Sequence, residues 1–299
     1  KNITWEIEWL KNSDIIIWDK KYHIIGHADK NIISEIQDSI QQGIFDDKFY
    51  INDNHCHTDL TDGILSPRRL VDCAIMEWIT NLTVTDHNTI LPALQAEQYA
   101  RSINEKNTKE VIKVNIGIEL STDSGHIILV NIPKDLPFSF PQQAKYSIQD
   151  YHRRYKEYID KYNPVLYPGI SLKNALDEID ILKQKYPDIK VILPHPFDGN
   201  EKIGKLLNKR GSTNFFGLMF NLSQKELEHY LDRFDFIEWY DQNSQNLQDT
   251  FGRFWIPANT QAIEFMAKNK DSHNFISWTD THVGSFKSFM IVKKENEKF

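Results

Sequence analysis

Apolar, strand-like runs in this chain keep ending in the same kind of residue. Phe49 to Asn54 runs into His55-Cys56-His57, Leu82 to Thr85 into Asp86-His87, and Val111 to Glu119 closes on a carboxylate. Lys190 to Leu193 leads to Pro194-His195-Pro196, and Phe275 to Trp278 leads to Thr279-Asp280-Thr281-His282. His126 opens the run to Ile132, and Phe234 to Trp239 completes seven candidate strands. Most of these runs are β-branched or aromatic without strict alternation, as in strands buried on both faces. Helical stretches fill the gaps, which is the order of an α/β fold. In an α/β barrel the strand C-termini share one face, where loops vary and active sites assemble.

The helices carry recognisable starts. Ser66 caps a helix with Pro67 at its first position, and Leu91 to Asn107 forms a second. Ser171 caps a third, with Leu172, Ala175, Leu176, Ile179 and Leu182 on one face. Ser223-x-x-Glu226 reads as a capping box for a fourth, and Gln261 to Lys268 as a short fifth. Two regions stand outside this plan. Residues 1–45 form an N-terminal extension with strand-like Trp5-Ile7-Trp9 and Ile15 to Trp18 and a helical Ile32 to Ile44. The barrel domain, residues 46–299, is interrupted at about 133–169 by a proline-rich segment and a helix with Tyr151, Arg153, Arg154, Tyr155, Lys156 and Tyr158.

A chain of 299 residues suits a single barrel domain. Its net charge of −7 argues against avid nucleic-acid binding, though a local basic groove stays open. The two cysteines, Cys56 and Cys73, do not make a disulfide framework. No run reaches the ~18 apolar residues of a membrane span, and the N-terminus has no apolar signal core. It also lacks a starting methionine. A soluble, cytoplasmic protein is the expectation.

Residues two apart on a strand share a face, so His55 and His57 can reach one metal, and Asp62 in the turn beyond can reach a neighbouring ion. Imidazole and carboxylate together suit Zn²⁺, Mn²⁺ or Fe²⁺. His55, His57, His87, His126 and His195, with Asp62, Glu119, Asp280 and His282, exceed the needs of one ion. The ordered series His55-x-His57-x-x-x-Thr61-Asp62-Gly63, Thr85-Asp86-His87, Gly117-Ile118-Glu119, His126, Pro194-His195-Pro196 and Asp280-x-His282 closely resembles the PHP (polymerase and histidinol phosphatase) superfamily. The resemblance runs from about Phe49 to Val283 and includes Phe236-Ile237-Glu238-Trp239-Tyr240. It implies a distorted seven-stranded (β/α)7, TIM-like barrel with a trinuclear metal site. By that resemblance His55, His57, Glu119 and Asp280 hold the first metal. Glu119 bridges to a second held by His126 and His195, and Asp62, His87 and His282 hold the third. Thr61 stands where the family usually has Ser, and Thr279 and Thr281 also depart from its pattern without removing a ligand. Asp86 is either a partner that orients a histidine or a turn-forming aspartate.

The function implied is metal-dependent phosphoester hydrolysis, with a metal-bound hydroxide attacking phosphorus. A phosphomonoesterase acting on a small phosphorylated metabolite or nucleotide comes first, and a nuclease on short oligonucleotides second. An amidohydrolase-like C–N hydrolase and a non-enzymatic scaffold complete the alternatives. The C–N reading is disfavoured by Glu119 at the bridging point, where such enzymes use a modified lysine. Arg210, Arg253 and Arg68 are the candidate substrate-binding cations, because a guanidinium grips phosphate in a bidentate fork. The oligomeric state is not legible.

Overall fold

A computed structural model describes residues 7–9, 15–18, 23–27, 35, 38–39, 41–43, 48–141, 145–195, 230–241, 275–284 and 288–293. Strands β1 (Ile7–Trp9), β2 (Ile15–Trp18) and β3 (His23–His27) form an antiparallel set in the N-terminal extension. β4 (Phe49–Asp53), β5 (Asn81–Val84) and β6 (Lys113–Ser121) pair in parallel. β7 (His126–Val130) is antiparallel to both β6 and β8 (Lys190–Leu193). β9 (Phe236–Asp241) and β10 (Phe275–Trp278) continue from β8 in parallel. β11 (Ser288–Lys293) sits between β3 and β4, parallel to the first and antiparallel to the second.

The described sheet therefore holds eleven strands in the order β1-β2-β3-β11-β4-β5-β6-β7-β8-β9-β10. Strand-like runs read from the sequence recur in the stretch from β4 to β10. Two features extend that reading: the strand set of the N-terminal extension joins the same sheet through β11, and β7 runs against its neighbours. Cys56, just past β4, bridges Thr281, just past β10, and the His57 N–H donates to the Thr281 carbonyl at 2.9 Å. This contact curls the sheet and brings the strand ends that carry histidines face to face. Mixed α/β architecture with a curled sheet is thus the observed fold.

Four α-helices are described: α1 (Pro67–Met76), α2 (Leu91–Asn104), α3 (Ile148–Tyr162) and α4 (Leu172–Lys185). Ser66 caps α1 by accepting from the Arg69 N–H, and Ser171 caps α4 by accepting from the Asn174 N–H. The capping box at Ser223, the short helix at Gln261 and most of Ile32 to Ile44 lie outside the described residues. The core forms between the helices and one sheet face. Leu70, Val71 and Ala74 of α1, Ala93, Ala96 and Ala100 of α2, and Ala175, Leu176 and Ile179 of α4 are all buried in it. β6 shows how one strand serves two purposes. Val114, Ile116, Ile118 and Leu120 join this core, while Asn115, Gly117 and Glu119 alternate onto the opposite face. Gly117 permits close strand approach there: a Cβ would lie 2.6 Å from the Thr83 methyl and 2.9 Å from that of Thr85.

The segment at 133–169 folds back beside the β5–α2 loop. The Ile90 N–H donates to the Phe138 carbonyl, and the Phe140 N–H to that of Asn88 at 3.0 Å. Tyr158 of α3 packs on Phe140 with ring centroids 4.4 Å apart. Lys145 donates to the Asp59 carbonyl at 3.1 Å, which places this arm against the loop that follows His57.

Candidate metal centre

The strand ends bring the nine candidate ligands into one cluster. Glu119 lies at its middle, buried. Its Oε1 is 2.8 Å from His126 Nδ1, 3.1 Å from His195 Nε2 and 3.7 Å from His55 Nε2. Its Oε2 is 3.3 Å from His57 Nε2 and 3.1 Å from His87 Nδ1. Asp280 Oδ1 approaches His55 Nε2 at 3.2 Å and His57 Nε2 at 3.1 Å. Asp62 gathers the outer edge, with Oδ1 3.3 Å from His57 Nδ1 and Oδ2 3.1 Å from both His87 Nε2 and His282 Nε2.

Four overlapping sets have donor atoms close enough to share one ion: His57, Asp62, His87 and His282; His55, His57 and Asp280; His55, Glu119 and His195; His87, Glu119 and His126. Asp62, His87 and His282 fall in one set, joined by His57. His126 and His195 divide between two sets that share Glu119. The cluster opens on one side: the side chains of His55 and His57 are 0% exposed, whereas Asp62 is 46% and His282 24% exposed.

The chemistry of these donors fits divalent ions. His282 Nδ1 lies 2.9 Å from the Asp280 carbonyl oxygen, which can only accept, so Nδ1 carries the proton. Its Nε2 then faces Asp62 Oδ2 at 3.1 Å. His55 repeats the pattern: Nδ1 faces Glu238 Oε1 at 3.3 Å, so that once the second ring proton has left, Nε2 turns a lone pair toward Asp280 and Glu119. His57 has carboxylates at both ring nitrogens, neither in a well-directed hydrogen bond. Acceptors facing acceptors repel unless a proton or a cation lies between them. A tetrahedral ion with ligands at about 2.1 Å holds its ligand atoms about 3.4 Å apart, the spacing seen here.

The electrostatics agree. Burial pulls His55 and His57 down, but Asp280 and Glu238 around the first, and Asp62 and Asp280 around the second, hold both well above the ordinary imidazole value. Burial pushes Glu119 up, yet His126 and His87 outweigh it and keep the carboxyl well below its usual range. Asp62 and Asp280 are likewise held low by their histidines. His126 is held below its ordinary value, where burial outweighs the attraction of Glu119.

A ring of buried side chains fixes the ligands, and sequence reading had not assigned most of it. Asp86 Oδ1 accepts from the Thr58 N–H at 3.1 Å, the Thr58 hydroxyl at 2.9 Å and the Thr61 hydroxyl. That ties down the loop between His57 and Asp62, so Asp86 orients a ligand loop. Asp53 accepts from the His55 N–H at 3.2 Å and from the Thr279 hydroxyl; burial pushes its carboxyl up to about 7. Gly63 lets the loop close, since a Cβ there would lie 2.5 Å from the His57 carbonyl oxygen. His195 and Asp280 adopt left-handed backbone, φ 27° and 45°, a costly conformation that clusters at functional sites. Of the candidate arginines, Arg68 is exposed on α1, with its guanidinium 5.7 Å from the Tyr99 ring centroid on α2. Arg210 and Arg253 lie outside the described residues.

The chain is similar to several known proteins. A stretch of 89 residues is 34% identical to a 5′-3′ exoribonuclease of Haemophilus influenzae, covering 28% of this chain and 30% of that protein. This chain thus matches under a third of that relative's length. Among solved structures, a two-domain protein from Bacteroides vulgatus containing a predicted PHP-like metal-dependent phosphoesterase aligns over 79% of this chain and 53% of its own, at 16% identity and TM-score 0.42. An amidohydrolase from Chromobacterium violaceum with bound sulfate aligns over 80% of this chain and 90% of its own, at 15% identity and TM-score 0.44. The PHP domain profile matches residues 53–254, which hold seven of the nine clustered donors as well as Asp86 and Glu238, and the chain belongs to the PHP domain family.

Proposed function

We propose that this protein is a metal-dependent phosphoesterase whose nine clustered donors hold two or three divalent ions, Zn²⁺, Mn²⁺ or Fe²⁺. The observation that carries the reading is Glu119, one buried carboxylate with histidines at both oxygens, set between overlapping donor sets. Bound divalent ions supply Lewis-acid charge for phosphoryl oxygens and lower the pKa of water. Without them the carboxylates of Asp62, Glu119 and Asp280 would repel a phosphate ester. His55, His57 and Glu119 form the rigid, water-excluding floor. Asp62, His87 and His282 form the accessible edge that a phosphoryl group meets first.

A phosphomonoester of a small metabolite or nucleotide is the first substrate class. A second reading, diester cleavage of short oligonucleotides, is favoured by the similarity to the exoribonuclease. The test is product release by Mn²⁺-loaded protein from sugar phosphates, amino-acid phosphates, nucleotides and 5′-phosphorylated oligonucleotides, each with a chelator control. Chelator-sensitive free phosphate supports the first class, and shortened oligonucleotides the second. No turnover of any of them, with metal shown to be bound, overturns the phosphoesterase reading.

A further inference from the structure

Glu238 of β9 belongs to none of the four donor sets, yet it is as deeply buried as they are. Its side chain is 0% exposed. Desolvating a carboxylate is costly unless its oxygens are well partnered, so the partners indicate its use. Oε1 lies 3.3 Å from His55 Nδ1, and Oε2 accepts from the His195 backbone N–H at 2.8 Å. One carboxylate thus spans two candidate ligands that are 140 residues apart in sequence (195 minus 55) and whose rings stack with centroids 5.8 Å apart. β9 lies beside β8, whose end carries His195, with Leu193 in register with Ile237.

We infer that Glu238 is a positioning residue for the metal centre: it fixes the His55 tautomer and holds the strained His195 backbone, so that both imidazoles aim Nε2 into the cluster. This rests on the metal reading proposed above. With Nδ1–H of His55 given to Glu238, Nε2 keeps its lone pair for an ion, and the carboxylate raises the basicity of the ring. The second bond acts on geometry. His195 has φ 27°, a conformation that persists only where its surroundings hold it. Its N–H is held by Glu238 while its Nε2 reaches Glu119 at 3.1 Å. The residue type follows from the hydrogen bonding: both partners donate, and only a carboxylate offers an acceptor at each of two oxygens. Glutamine has the same shape but meets one of the two donors with an amide N–H.

The experiment compares the wild-type protein with Glu238→Gln. Mn²⁺ and Zn²⁺ binding is followed by equilibrium dialysis, and folding of the metal-free forms by circular dichroism and thermal unfolding. The expected result is an intact fold with about 10- to 100-fold weaker binding at one class of site. A second class, that of Asp62, His87 and His282, keeps wild-type affinity. Equal loss at every class, in step with a lower unfolding temperature, means that Glu238 only stabilises the fold and overturns the inference, as does unchanged affinity. If the variant does not fold, ¹⁵N histidine spectra of the Zn²⁺-loaded wild-type protein decide: one Nε2-metallated ring must carry its proton on Nδ1, and a His55 protonated on Nε2 refutes the role. Wild-type protein that binds no divalent metal removes the underlying metal reading instead, and is recognised by that absence.

Discussion

Gly117→Ala tests how the strand beneath the site is built. The added Cβ would meet the Thr83 Cγ2 at 2.6 Å, the Thr85 Cγ2 at 2.9 Å and the Val84 carbonyl oxygen at 3.1 Å. Comfortable carbon–carbon contact is about 3.5–4.0 Å, so the shortfall against the first methyl is about 1 Å. Neither threonine can easily turn away, because χ1 is stiff in β-branched residues and both hydroxyls are engaged. Thr83 donates to Asn54, and Thr85 accepts from the Cys56 N–H at 3.1 Å. The strand must therefore shift, at a cost of about 1–3 kcal/mol for overpacking, offset by ~0.4–1 kcal/mol from the stiffer unfolded chain. A net loss of about 1–2 kcal/mol corresponds to about 2–8 °C in Tm for a protein of this size. Glu119 lies two residues further along, and a site constellation tolerates only about 0.5 Å of displacement, so metal affinity falls as well. Thermal unfolding and Mn²⁺ dialysis measure both. Adding Thr83→Ser removes the nearest methyl and should restore part of each loss, with a coupling of at least ~0.5 kcal/mol. An unchanged Tm for the single variant, or strictly additive effects in the pair, would refute the packing argument.

Other outcomes follow from the same geometry. Asp280→Asn, which removes a carboxylate shared by His55 and His57, abolishes turnover; activity within tenfold of wild type in a kinetic assay rejects the site assignment. Asp86→Ala deprives Thr58 and Thr61 of their common acceptor and costs about 3 kcal/mol in denaturant unfolding, with weaker metal binding; a loss under ~1 kcal/mol contradicts its role in the loop. His55 and His57 hold their protons above the ordinary imidazole pKa, so in metal-free protein near neutral pH they are protonated, and metal uptake must expel those protons. Affinity then weakens as pH falls, and calorimetry in buffers of different ionisation enthalpy reports proton release at neutral pH; uptake without release counts against both as ligands.

The ligand residues were legible because strand-end chemistry is local. A histidine two residues after a histidine, or a carboxylate closing an apolar run, announces itself within a few positions, and the family's order joined those pieces. Ser66 and Ser171 were legible for the same reason, since a cap acts on the next turn. What the sequence hid is what depends on distant partners. Glu238 gains its meaning from His55, 183 positions away, and Asp53 from Thr279, 226 away. β3 carries only a short apolar pair between histidine and glycine, and becomes a strand by pairing with β2 and β11. β11 holds no donor of the cluster, so the strand-end pattern that marked the others passed over it. The antiparallel course of β7 is likewise invisible in composition, because its five residues, buried throughout, look the same in either direction.

The place of β11 also has a consequence for how the chain reaches its native state. It is the last described strand, yet it inserts between β3 and β4, which are among the first. On a ribosome those two early strands emerge with no partner along their facing edges until the chain has been made beyond residue 288. Pairing across such separations is slow, because loop-closure entropy must be paid before any contact rewards it. During that wait both edges are open templates for other chains. Synthesis that stops short of residue 288 would leave them permanently unmatched, so prematurely terminated products should aggregate or be degraded even though most of the donor cluster has already been translated.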